Sequence, residues 1–197
     1  MLSNPTMEKL HTMRLKGMAD CYEEQRAMPD IDSLSFDERF GLLVDREETH
    51  RSSIAIKSRL YRAKLRQAAT VEDIDFRHPR GLDKAYFLSL SDCTWIQSHD
   101  NCLITGPTGS GKSYLACALA NAACRNGLSA RYLRMPRFFE ELNAARCEGR
   151  YPRVLQSLAR VDLLILDDLG LAPLNDEQRR DLLEVLEDAR NTVNRRD

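Results

Sequence analysis

The sequence predicts an α/β fold: a parallel sheet carrying a phosphate-binding loop, with flanking helices and an all-helical N-terminal domain. Three observations predict it. Gly106-Pro107-Thr108-Gly109-Ser110-Gly111-Lys112-Ser113 fits the pattern G-x-x-x-x-G-K-[ST] at every fixed position. Asn101 to Thr105 before it reads as a short buried strand, and the Ala/Leu-rich stretch Ser113 to Ala123 after it as a helix. Asp162-Leu163-Leu164-Ile165-Leu166-Asp167-Asp168 is an aliphatic run ending in two carboxylates, the composition of a strand buried on both faces.

The loop's glycines let the backbone wrap so that successive N–H groups point at phosphate oxygens. The helix that follows presents its positive end to the same anion. Lys112 is expected at the β- and γ-phosphates of ATP and the Ser113 hydroxyl on Mg²⁺, with Gly106 to Ser113 and Tyr114 forming the nucleotide site. Carboxylates at the C-terminal end of a strand lie where open α/β sheets bind ligands. Asp167 is placed to hold Mg²⁺ through water, and Asp168 to orient or deprotonate the attacking water. As neighbours on a strand end they point to opposite faces, so their roles differ.

Earlier in the chain, Thr6 to Met28 reads as one helix with Met7, Leu10, Leu15, Met18 and Tyr22 on a face. Ser35-Phe36-Asp37-Glu38 is a capping box, opening a helix with Phe36, Phe40, Leu43 and Val44 inward that runs, with or without a break, to about Ala69. Its second half lacks acidic residues and carries Arg51, Lys57, Arg59, Arg62, Lys64 and Arg66, with an apolar stripe of Ile54, Tyr61, Leu65 and Ala68 opposite. Such an arginine stripe suits a DNA backbone, and equally a solvated charged face. Val71 to Arg80 reads as an extended linker, dividing the chain into domains 1–70 and 71–197. Leu82 to Leu90 is a short helix, and Trp95 is read as core. Beyond the loop helix, Gly127 is a cap, Ala130 to Leu133 a strand, Arg137 to Arg146 a helix with Phe138, Phe139 and Leu142 inward, and Val154 to Ala159 a short helix. Asn175 caps a last helix with Leu182, Leu183, Leu186 and Ala189 toward the sheet.

The 197 residues suffice for a domain and an appendage, and the net charge of −1 confines any nucleic-acid surface to a local patch. Six cysteines without a C-x-x-C pair read as reduced thiols of a cytosolic protein rather than a zinc site or disulfide frame. No apolar run is long enough for a signal peptide or a membrane span.

Read together, Arg14-Leu15-Lys16-Gly17-Met18-Ala19, Tyr22-Glu23-Glu24-Gln25, Leu34 to Arg39, Glu72-Asp73-Ile74-Asp75 leading to Arg80-Gly81-Leu82-Asp83, Leu103 to Gly109 and Leu164 to Asp168 resemble the IstB-type transposition helper ATPases of bacterial insertion sequences, relatives of the DnaC helicase loaders in the AAA+ class. The resemblance runs from about Met7 to Asn191. It implies a bacterial, cytoplasmic, DNA-associated protein that binds double-stranded DNA, forms homo-oligomers, uses ATP and Mg²⁺, and supports its cognate transposase. It also implies a sheet ordered 5-1-4-3-2. The chain ends at Arg195-Arg196-Asp197, one helix after the third strand, so this reading expects a gap between first and third strands, a truncated copy, no assignable arginine finger and weak turnover. A helicase loader, a nucleotide-binding remnant without turnover and a small-molecule kinase are the rival readings; the kinase lacks a recognisable lid or acceptor site.

Overall fold

The computed structural model describes residues 5–77, 81–171 and 173–193, with side chains as far as Glu187. His78-Pro79-Arg80 of the linker, the Ala189 side chain and Arg195-Arg196 lie outside the described residues. The fold is mixed α/β: mostly helical, with a small parallel sheet. Packing divides it into two compact units, 1–58 and 59–197.

In the first unit the long N-terminal helix is two helices, α1 (Pro5–Thr12) and α2 (Lys16–Ala27). The expected single helix is broken by Arg14, at φ 59°. Leu15 N–H donates to Leu10 O at 2.9 Å and Arg14 N–H to His11 O at 3.0 Å, the paired bonds of a left-handed helix cap. α2 packs on α3 (Phe36–Ala63) through Gly17: a Cβ there would lie 2.7 Å from Arg46 O and 2.8 Å from Glu47 Cα. Buried Glu47 accepts from the Met18 N–H at 3.2 Å and from Arg51 Nε at 2.6 Å. The capping box forms as expected, with Ser35 N–H donating to Glu38 at 2.8 Å and Glu38 N–H to Ser35 Oγ at 3.3 Å. The inward face expected after it does not form. Phe36 and Phe40 stack on each other at 6.0 Å in an exposed position, and Val44 is exposed too.

α3 ends at Ala63, short of the expected Ala69, because Lys64 turns left-handed at φ 50°. Ala63 and Ala69 are both buried in the second unit, and a straight helix does not keep both on one face. The expected apolar stripe fails for the same reason. Tyr61 is 85% exposed, and Ile54 and Ala68 face solvent, while Leu60, Ala63 and Leu65 make the packing contacts.

Residues 71–77 are turns rather than an extended linker. Ile74 is buried, and Val71 and Phe76 pack against the same cluster. Next come α4 (Lys84–Ser91), capped by Asp83, and the short α5 (Thr94–Gln97). Trp95 packs against the core and donates from Nε1 to Leu90 O at 2.8 Å.

Segment 101–105 is not a strand. The described sheet contains only β1 (Ala130–Arg134) and β2 (Leu163–Asp167), so this segment has no ladder to join, and Leu103 is 81% exposed. α6 (Lys112–Arg125) is the most thoroughly buried helix, with Cys117, Ala118, Ala120, Ala123 and Cys124 fully enclosed, as its small-residue composition allows. Gly127 N–H closes its end on Cys124 O at 3.3 Å. β1 and β2 pair in parallel, with Ala130 opposite Leu163 and Arg134 opposite Asp167. Parallel strands need a crossover. Here it is α7 (Met135–Cys147) and α8 (Tyr151–Ala159), anchored by Phe138, Phe139 and Leu142.

α9 (Asp176–Val193) opens on Asn175, whose side chain accepts from Gln178 N–H at 2.8 Å. It packs through Leu182 and Val185, whereas Leu183 and Leu186, expected to face the sheet, are exposed. Polar contacts set that rotation. Buried Asp181 accepts from Arg146 at 2.5 Å and from the Tyr151 hydroxyl at 2.9 Å, tying α9 to α7 and α8.

Gly17 gives a test of the helix contact. Gly→Ala usually stabilises a helix interior by ~1 kcal/mol. At Gly17 the atoms in the way include backbone, which cannot swing aside, so Gly17→Ala is expected to destabilise the first unit by about 1–3 kcal/mol, read from urea denaturation. A stabilised variant would show that the contact is not tight.

Candidate functional site

The glycine-rich loop turns between segment 101–105 and α6. Gly106 has φ 151° and Gly111, the residue before α6, φ 89°, conformations that disfavour a side chain. A Cβ at Gly106 would come within 3.2 Å of Ser110 Oγ, filling the cradle. α6 starts without a side-chain cap, which leaves the N–H groups of its first turn for an anion. Lys112 Nζ donates to Gly106 O at 2.7 Å and Pro107 O at 2.8 Å, so its ammonium lies directly over the loop. The surrounding cleft, about 2090 Å³, is ample for a nucleoside triphosphate.

Asp167 reaches this loop from the end of β2. Ser113 Oγ donates to its Oδ2 at 2.7 Å, joining the two expected metal-site residues across the fold. Tyr132 OH on β1 donates to the same oxygen, Arg66 Nη1 stands 3.7 Å from it, and Asp168 N–H donates to Oδ1 at 2.9 Å. Burial acts to raise the Asp167 pKa, but the bonds from Tyr132, Ser113 and Asp168 N–H and the charge of Arg66 outweigh it and hold it below the usual value. Burial, then the bond to Asp167, pushes the Tyr132 phenol up to about 12, so it is protonated and donates at neutral pH.

Asp168 is held elsewhere. At φ 60° its carboxylate takes Arg134 Nε at 2.8 Å and Nη2 at 2.7 Å, a two-pronged ion pair back to β1. Loop and Asp167 are therefore brought together, while Asp168 is engaged by an arginine. Of the basic residues, Arg51 pairs with Glu47 in the first unit, where Lys57 is exposed. In the second unit Arg62 and Lys64 are exposed, and Arg59 reaches Cys124 O at 3.5 Å. Arg66 is off the helix and beside Asp167, not in the stripe. The sequence reading missed Tyr132 and Arg134. Their signal was the polar side chains within a buried strand, which become informative only once the register sets Arg134 opposite Asp167.

A glycine-rich loop opening a helix, a lysine folded over it and a strand-end carboxylate bonded to its serine define a P-loop nucleotide-binding protein. The chain belongs to the family described as IstB-like ATP binding protein, which it matches over residues 8–194. An insertion sequence ATP-binding protein of Sinorhizobium fredii, y4pL, is 50% identical over 188 residues, covering 95% of this chain and 77% of that protein. The ATP-binding protein of insertion sequence IS1162 from Pseudomonas fluorescens is 48% identical over 197 residues, covering 98% of this chain and 85% of that protein. A Mycobacterium tuberculosis insertion-sequence protein, Rv3427c, is 29% identical over 179 residues, covering 91% of this chain and 71% of that protein. The family makes ATP a ligand of this chain. Among the described residues no helix is long and apolar enough to cross a membrane.

Tyr132→Phe tests the Asp167 network. A carboxylate with a depressed pKa contributes stability above its unfolded pKa of ~3.9 and loses it as pH falls through the folded value. Removing the phenol is expected to cost about 1 kcal/mol at pH 7. The difference between variant and wild type should begin to shrink below the unfolded pKa of ~3.9 and vanish as pH falls through the lower pKa of folded Asp167. Urea midpoints across pH 3–7 check this, and a difference independent of pH would make Tyr132 a packing residue only.

Proposed function

We propose that this chain is an ATP-dependent DNA-binding helper that supports the transposase of an insertion sequence. The observation that carries the nucleotide part is the Ser113–Asp167 bond at 2.7 Å, which joins loop and strand end as one site. The residues fit Mg·ATP: backbone N–H groups and Lys112 for the phosphates, Ser113 and Asp167 for the metal. When bound, Mg²⁺ would neutralise charge developing between the β- and γ-phosphates. Lys112 leaves its two carbonyl partners for the phosphates, a charged acceptor being the stronger one. Ser113 would offer an oxygen lone pair to the metal while its O–H goes on donating to Asp167. Asp168 can hold the attacking water only after release from Arg134, so turnover by this chain alone is slow.

Lys112→Ala is expected to abolish Mg·ATP binding with circular dichroism unchanged, and to remove any phosphate release. Unaltered ATP affinity in that variant would remove the nucleotide reading.

The DNA part rests on the basic residues of the second unit: Arg59 and Arg62, one turn apart on α3, and the exposed Lys64. They suit phosphates rather than base edges. Replacing all three with Ala should weaken duplex binding on every sequence and lower the log–log salt slope by about one unit per lost phosphate contact. A loss confined to one sequence, with the slope intact, would indicate base readout. The insertion-sequence names of the relatives support a cognate transposase as partner. Retention of an insertion-sequence transposase on immobilised protein, dependent on ATP, is the expected result; retention of a replicative helicase instead would favour the loader reading.

A further inference from the structure

Arg66 is the basic residue that neither the DNA surface nor the phosphate loop absorbs. The turn at Lys64 takes it off α3, and its guanidinium comes to rest 3.7 Å from Asp167 Oδ2, the oxygen that also holds Ser113 and Tyr132. Its backbone is anchored: the amides of Arg66 and Gln67 lie against the buried Cys117 thiol of α6. Its side chain is 49% exposed and lines the nucleotide cleft, so it can move while its base stays fixed.

We infer that Arg66 senses the terminal phosphate of the nucleotide, pairing with Asp167 in the empty site and transferring to the γ-phosphate of bound ATP. The inference rests on the nucleotide-site reading above. Without nucleotide, Asp167 has a negative charge that Arg66, 3.7 Å away, helps to balance. A divalent cation drawn to Ser113 and Asp167 repels a guanidinium so close, and the pair must part. The γ-phosphate would then offer the planar Arg66 fork two free oxygens, a better match than a carboxylate oxygen already taking two hydroxyl bonds. ADP has no γ-phosphate, and its β-phosphate lies one position further back in the loop. The displaced arginine then has only solvent, so the protein discriminates ATP from ADP through Arg66.

The test is the affinity of the full chain for fluorescent ATP and ADP analogues, each with Mg²⁺, in wild type and Arg66→Gln. The expected result is a loss of ATP affinity of roughly 10-fold, the scale of one charge-assisted pair, with ADP affinity unchanged or slightly improved. Arg66→Lys should recover only part of the preference, because an ammonium keeps the charge and loses the fork. An unchanged ATP-to-ADP ratio in Arg66→Gln overturns the inference. So does an unchanged ratio accompanied by weaker duplex binding, which would return Arg66 to the DNA surface. If wild type binds neither nucleotide, the nucleotide-site reading itself fails. If wild type binds and Arg66→Gln does not discriminate less, only the sensing role fails. Circular dichroism of each variant excludes misfolding.

Discussion

The second unit is organised around one carboxylate. Asp167 receives hydrogen bonds from Ser113 on α6, Tyr132 on β1 and the N–H of Asp168, with Arg66 beside it. The donors come from separate stretches of chain, and each is placed by packing done elsewhere. Parallel pairing fixes Tyr132 and Asp167 on neighbouring strands. The enclosed alanines and cysteines of α6 bring its first turn close to the strand end. A buried charge with several donors is stable where one left unpaired would be costly. The same donor set makes the site ready for a cation, since Ser113 already faces the carboxylate it would share a metal with.

The other side of the site is less complete. β2 pairs with β1 alone among the described residues, and segment 101–105 leads into the loop without a strand partner. The aliphatic composition of Leu163 to Leu166 suits burial on both faces, yet three of those four residues are only half-buried. Leu103, Leu183 and Leu186 are exposed around the same cleft. The loop's own geometry does not require a complete sheet, because glycine conformations, the lysine bonds and the start of α6 are local. On the proposed function, metal and phosphate binding would thus be largely preformed, while turnover, which would need Asp168 freed from Arg134, would not.

Local chemistry was legible in the sequence and tertiary competition was not. The phosphate loop, the Ser35 capping box, the Asn175 cap, the Gly127 end and the inward Phe138, Phe139 and Leu142 followed from residue type and short-range spacing, and the structure has them. The strand at 101–105 failed because a strand is a pairwise object, and no amount of aliphatic composition supplies the neighbour. The inward face of Phe36, Phe40 and Val44 failed because periodicity gives a stripe but not what covers it. Leu183 and Leu186 were misplaced because the Arg146–Asp181–Tyr151 contacts, invisible in a linear pattern, set the rotation of α9.

The arginine stripe shows how a single backbone residue can redistribute function. A helix running on past residue 64 would align Arg59, Arg62 and Arg66 on one face, a simple phosphate-binding row. Burial of Ala63 and Ala69, with Leu65 between them touching both apolar clusters, forces a turn instead, and Lys64 adopts a left-handed conformation that costs a non-glycine residue of order 1 kcal/mol. The apolar contacts on either side exceed that cost. As a result Arg59 and Arg62 remain on the helix, and Arg66 is delivered to the strand-end carboxylate. A charge that belongs to the DNA row by sequence becomes part of the nucleotide site by packing, with only the 59–66 stretch separating the two. On the proposed function, residues that close in the chain, divided between nucleotide and DNA, would give the two ligands a short physical path by which each biases the other.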